Sequence, residues 1–186
     1  AMQLGGRIHR KIQRRMGPDY HAEVPLKTEV PFDGFHILVE GRADGIITEE
    51  DGGDVKVTVD EIKGVLRELR FIEKPDPLHL AQAKCYAAMY AEQKGLEKID
   101  VQITYCQMES EEIRRFVQSF EAEGLKEWFY DLIGKYEKWA RFEIEWKKIR
   151  NASIHETEFP FSYRAGQRDM AAAVYRTILR KKKLFI

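Results

Sequence analysis

The stretch VKVTVDEIKG, residues 55–64, decides the fold. Side chains alternate faces along a strand, so Val55, Val57 and Val59 share one side while Lys56, Thr58 and Asp60 share the other. The same alternation puts Glu61 and Lys63 on the valine side. A carboxylate and an ammonium at the end of an apolar face are either solvated residues of a strand leaving the core or a pair placed there for chemistry.

The flanking sequence builds a sheet around this strand. Upstream, HAEVPLKTEVPF is extended and punctuated by Pro25 and Pro31, Asp33-Gly34 is a turn signal, and FHILVEGRADGII is a second strand. The turn EEDGGD leads into the third, so residues 22–63 are predicted to form an antiparallel meander. Downstream, Asp76 at N-cap and Pro77 at N1 open a helix to about Gln93, which Gly95 closes. KIDVQITYCQM is an alternating strand, and a charged helix or helix pair is expected over about 110–150, broken near Gly124 or Gly134. A short basic helix is expected over residues 6–16, ended by Gly17-Pro18-Asp19, and another from about Ala165 to Arg180. Strands followed by helix, strand and helix give an α/β (α+β) fold, a mixed sheet flanked by helices.

Composition narrows the function classes. The chain has 186 residues, 44% of them hydrophobic, enough for one good core or a domain plus an appendage. No run approaches the roughly 18 apolar residues of a membrane span, and AMQLGGRIHRKIQRR lacks an apolar signal region, so no membrane and an intracellular, cytoplasmic setting are expected. Two cysteines, Cys85 and Cys106, are too few for a disulfide framework or a four-thiolate metal centre. The formal net charge is zero but uneven: Arg7, Arg10, Lys11, Arg14 and Arg15 lie in an N-terminal segment free of acids, and Arg180, Lys181, Lys182 and Lys183 lie near the end. These are candidate phosphate contacts or solvated faces.

Asp44 sits between glycines in GRADG, where the backbone can bend or be approached closely. It is a turn residue, or, if the second and third strands pair, it converges with Glu61 at one end of the sheet. Two adjacent carboxylates repel unless a positive charge lies between them, and a hard cation such as Mg²⁺ or Mn²⁺ suits that position. Lys63 would then lie beside the water to be activated.

Asp44, a separating segment, then Glu61-x-Lys63 on a strand after a hairpin resembles the motif of the PD-(D/E)xK nuclease superfamily, whose fold is restriction-endonuclease-like. The resemblance covers about residues 5–108. It implies catalytic roles for Asp44, Glu61 and Lys63, and metal ligation by His9, Asp44, Glu61 and the Ile62 carbonyl. GGRIHRKIQ is similar to the helix that offers a histidine in RecB-like members, with Gly6 before His9 and Gln13 after it. LHLAQAKCYAAMYA places Gln82 and Tyr86 at i and i+4, similar to the RecB-like helix that borders the active site and DNA. Ala43 stands where the motif's name has proline. Some RecB-like relatives carry a four-cysteine iron–sulfur cluster, and none is expected here. DNA, single-stranded or forked, is the implied partner, with Arg7, Arg10 and Lys11 among its contacts.

FPFSYRAGQRDM is similar to the segment that opens the motor of DinG/XPD-like superfamily 2 helicases. That resemblance implicates Tyr163, Arg164 and Gln167 in adenine contact within a longer parent chain. No G-x-x-x-x-G-K-[ST] loop occurs in the sequence. The expected organisation is therefore a nuclease-like domain over 1–150, then a linker and the beginning of a helicase motor over 151–186. The implied activity is metal-dependent hydrolysis of DNA phosphodiesters, or alternatively a catalytically silent module that grips single-stranded DNA for the motor.

Overall fold

Asp33-Gly34 turns the chain tightly enough to pair its flanks, because Gly34 adopts a left-handed φ of +84° without steric cost. In the computed structural model, which describes residues 2–52, 54–158 and 160–185, β1 (Tyr20–Phe32) and β2 (Phe35–Asp51) form a long antiparallel hairpin. A second turn leads into β3 (Asp54–Val65), antiparallel to β2; of its glycines, Gly53 lies outside the described residues. Asp76 caps α2 (Pro77–Lys94) by accepting from the Leu78 amide at 2.8 Å, and Gly95 closes it in the left-handed region. That helix carries the chain across to β4 (Lys98–Gln107), parallel to β3, and β5 (Ile113–Glu121) returns antiparallel to β4. The result is a five-stranded mixed sheet in the order β1-β2-β3-β4-β5.

Helices cover both faces of the central strands. On the valine side, Val57 and Val59 pack with Ala83, Ala87 and Met89 of α2 and with Val101 and Ile103. On the other side, Ile8 and Ile12 of α1 (Met2–Gln13) pack against Ile62 and Cys106. The polar side of β3 is therefore no solvent face: Thr58 and Asp60 are buried too. Asp60, fully buried, accepts hydrogen bonds from Thr104 at 2.5 Å, Gln102 at 3.0 Å and Tyr20 at 3.2 Å. Those three donors satisfy the carboxylate, and burial still pushes its pKa up against their opposing pull.

Two expectations are corrected. Residues 113–121 form the edge strand β5 rather than the start of a helix, because Phe116 and Phe120 are registered on Ile103 and Ile99 and pack on the core while Val117, Gln118 and Ser119 between them are exposed. The helix that follows, α3 (Ala122–Glu156), runs unbroken through Gly124 and Gly134. Leu125, Phe129 and Ile133 bury one stripe of it in the core, which outweighs a cost of about 1 kcal/mol per glycine.

The chain divides into two compact units, residues 1–140 and 141–186. The expected boundary after residue 150 falls inside α3, which continues to Glu156. The second unit holds the end of α3 and α4 (Gln167–Leu179), at whose start the Gln167 side chain accepts from the Arg164 amide at 2.8 Å. Among the described residues, no helix is long and apolar enough to cross a membrane.

The glycines of GRADG admit tyrosine rings. A Cβ on Gly45 would lie 1.9 Å from the Tyr20 ring, and one on Gly41 would lie 2.6 Å from Tyr86. Gly45→Ala is expected to displace Tyr20 from Asp60 and to cost about 1–3 kcal/mol in chemical denaturation. Gly134→Ala, where a Cβ meets nothing within 4 Å, is expected to stabilise by about 0.5–1 kcal/mol because α3 is continuous there. A loss of stability in Gly134→Ala would mean that the helix breaks at that residue.

Candidate active site

The β2–β3 ladder ends at the pair Gly45 and Asp60, and one residue further along each strand stand Asp44 and Glu61. Pairing with β1 also lapses here: it skips Glu23, whose φ of +58° is in the left-handed region disfavoured for a side chain. The interruption releases Asp44 for other partners. Its carbonyl accepts from the Gln13 side chain of α1 at 2.9 Å, and the same amide reaches the Glu23 carboxylate at 3.1 Å. Its carboxylate accepts from the Ile62 amide at 2.7 Å through one oxygen and meets His9 Nδ1 at 3.0 Å through the other.

Glu61 is the most constrained group of the set. Its side chain is 3% exposed; Oε1 lies 2.7 Å from Lys63 Nζ, while Oε2 is buried without any hydrogen-bond partner. Burial first, and the Asp44 carboxylate second, push its pKa up to about 7, against the opposing pull of Lys63. The hydrogen bond to Asp44 raises His9 above the ordinary imidazole value, with burial opposing. Lys63 also donates to Gln82 Oε1 at 3.0 Å, and Gln82 Nε2 donates to Tyr86 Oη at 3.3 Å. The i, i+4 spacing on α2 thus lines up Glu61, Lys63, Gln82 and Tyr86 as one hydrogen-bonded chain, with Gly41 making room for the Tyr86 ring.

The tertiary structure therefore brings His9, Asp44, Glu61, Lys63, Gln82 and Tyr86 to one end of the β2–β3 pair. Ile62 enters through its amide on Asp44, and its side chain is buried against α1. Among the basic residues of α1, Lys11 is committed to an ion pair with Glu111, which Arg15 also approaches at 3.7 Å. Arg7 and Arg10 line a shallow pocket on the same helix. Tyr163, Arg164 and Gln167 belong to the second compact unit.

Two contributors escaped the sequence reading. Glu23 reads as a plain strand residue, and only its backbone conformation beside Asp44 singles it out. Asp60 shares a face with Lys56 and Thr58 and is not singled out, although Ile62, two residues on along that face, is a signal that it is covered as well.

Among the described residues no three His, Cys, Asp or Glu side chains form a ready-made metal cage. His9 Nδ1 is engaged by Asp44, and one Glu61 oxygen by Lys63. A cation nonetheless fits the donor set: two carboxylates repel each other across the gap, one buried oxygen is orphaned, and the remaining donor is an imidazole nitrogen.

No protein-family model and no curated protein matches the chain. Six chains of solved structures do. One of them, "Crystal structure of SSO0001", has a TM-score of 0.48 and 22% identity, covering 70% of this chain and 58% of its own. The chain thus spans less than two thirds of the length of that protein.

The raised pKa of Glu61 has a consequence for stability. A carboxyl raised in the folded state contributes its full stability below the unfolded pKa near 4.5 and loses it as pH climbs through about 7. Metal-free protein is therefore expected to be less stable at pH 8 than at pH 5 from this group, and Glu61→Gln is expected to recover about 1–3 kcal/mol at pH 8 but little at pH 5. Equal effects of the substitution at both pH values in thermal melts would contradict a buried, strained carboxylate.

Proposed function

We propose that the first compact unit is a metal-dependent nuclease domain of the PD-(D/E)xK, restriction-endonuclease-like type, hydrolysing phosphodiester bonds in DNA. The observation that carries the reading is the Glu61 carboxylate, buried with one oxygen unpartnered beside Asp44 and in direct contact with Lys63. Burying such a group costs several kcal/mol unless something compensates it, and a structural role would satisfy both oxygens. His9, Asp44 and Glu61 would hold Mg²⁺ or Mn²⁺. Such an ion supplies Lewis acidity at the phosphate and activates water for attack.

The chain's own residues do the positioning. Lys63, fixed between Glu61 and Gln82, donates to the attacking water and to the scissile phosphate's oxygens. Hydrolysis adds that water across one P–O bond, its oxygen joining phosphorus and losing a proton to solvent while the sugar oxygen departs and takes one up. Gln82 and Tyr86 form the wall along which the strand lies, and Arg7 and Arg10 supply sequence-independent phosphate contacts. Attachment to a helicase motor and adenine contact by Tyr163, Arg164 and Gln167 in a longer chain complete the proposal on the resemblance of FPFSYRAGQRDM alone, and a cytoplasmic setting is proposed beside them.

The decisive experiment incubates the protein with labelled single-stranded, forked and duplex DNA plus Mn²⁺ or Mg²⁺. Cleavage is expected, is abolished by EDTA, and is lost in Glu61→Gln. Lys63→Ala is expected to slow cleavage by about 10²–10⁴-fold while leaving the metal-induced rise in melting temperature in place. Metal-independent DNA binding without any cleavage would instead favour a silent single-strand module.

A further inference from the structure

Past Lys63 the chain lines a groove that the catalytic reading does not use. Lys63 is registered against Tyr105 of β4, and Tyr105 and Val65 form the inner wall of a cleft of about 630 Å³. The outer wall is the segment linking β3 to α2, and its chemistry is unusual for a connector. Phe71 is 52% exposed, belongs to neither apolar cluster, and carries the Arg70 guanidinium 4.8 Å from its ring centre. Arg70 is held there because its Nε donates to Glu68 at 2.8 Å. Arg67 and Lys74 line the same cleft and have no partner among the described residues. The lining also holds two acids, Glu73 and Asp76, the latter accepting from the Leu78 amide at the α2 cap.

The floor adds a neutral donor. Tyr105 Oη accepts from the Asp76 amide at 2.9 Å and lies 2.9 Å from His79 Nδ1; whichever of the two gives its proton to that contact, one donor stays free, the His79 Nε2–H or the Tyr105 O–H. Burial and the nearby Lys63 hold His79 below the usual imidazole value. The cleft thus combines an open aromatic face, two unpartnered cations and one neutral donor, beginning beside Lys63.

We propose that this cleft holds single-stranded nucleic acid, with an unstacked base on Phe71 and Arg70 and phosphates at Arg67 and Lys74. A π-face bordered by cations matches the two features every nucleotide offers, whatever its sequence. A paired duplex keeps its bases stacked and has none to give Phe71. The proposal rests on the nucleic-acid reading of the neighbouring site and names the strand state that site receives.

The test measures binding in EDTA, where no cleavage is needed, using a fluorescein-labelled oligothymidylate of about 15 nucleotides and a blunt hairpin duplex of the same label. Phe71→Ala is expected to weaken oligothymidylate binding by roughly 5- to 100-fold, with Phe71→Tyr restoring it and duplex binding unchanged. Arg67→Ala/Lys74→Ala is expected to flatten the dependence of log K on log salt by about 1.4. Unchanged affinity in Phe71→Ala, or an equal loss on duplex, overturns the proposal, provided melting curves show both variants folded. The two readings fail separately: a Phe71-dependent affinity in a protein that never cleaves keeps the cleft and removes the nuclease. Mn²⁺-dependent cleavage with a KM for single strands indifferent to Phe71 keeps the nuclease and removes the cleft.

Discussion

Glu61 is a carboxylate held almost out of water with one oxygen unanswered, and its neighbours are arranged around that fact. Lys63 lowers its energy from one side, and Asp44 raises it from the other. A protein can tolerate such a group only where the surrounding packing is firm enough to keep it in place. The firmness comes from β3 being central: α2 covers the face that carries Glu61, and α1 covers the opposite face at Ile62. Asp60, next to Glu61 in the chain and satisfied by Thr104, Gln102 and Tyr20, ties β3 to β4 and, across β2, to β1. Two adjacent buried carboxylates thus have opposite characters, one saturated with donors and structural, the other left open.

The strand that supplies Asp44 is built to be imperfect. Regular pairing on both sides would consume its backbone groups in the ladders and hold its neighbours flat. Instead β1 skips Glu23, which sits in a disfavoured conformation, and Gln13 reaches in from α1 to take the released carbonyl. The glycines on either side admit Tyr20 and Tyr86, one serving Asp60 and the other ending the chain from Glu61 through Lys63 and Gln82. One short segment, GRADG, therefore serves two polar networks, and its apparent flexibility in sequence is close steric fitting in three dimensions.

Those networks also explain why α1 and α2 matter beyond covering the sheet. α1 delivers His9 and Gln13 to Asp44, and α2 delivers Gln82 to Lys63. The connector before α2 then extends the same edge with Phe71, Arg67 and Lys74, anchored at its end by the Tyr105 hydroxyl on the Asp76 amide. The proposed reaction centre and the proposed strand-binding cleft are thus consecutive stretches of one strand and the segment leaving it.

The sequence alone determined what local rules govern. The alternation of VKVTVDEIK, the Asp33-Gly34 turn, and the Asp76, Pro77 and Gly95 boundaries of α2 depend on neighbours within a few residues, and they specified the mixed sheet and its helices. The alignment of Glu61 with Lys63 and of Gln82 with Tyr86 follows from strand and helix periods alone. Charged residues hid β5, since an edge strand shows only Phe116 and Phe120 of its pattern, and local glycine preference suggested breaks that the packing of Leu125, Phe129 and Ile133 overrides. Only the tertiary structure decided that Lys11 belongs to Glu111, that Asp60 is buried, and that Glu23 yields its pairing beside Asp44. These depend on which distant segments meet, and desolvation, the force that distinguishes an open carboxylate from a satisfied one, acts only after the chain has closed around it.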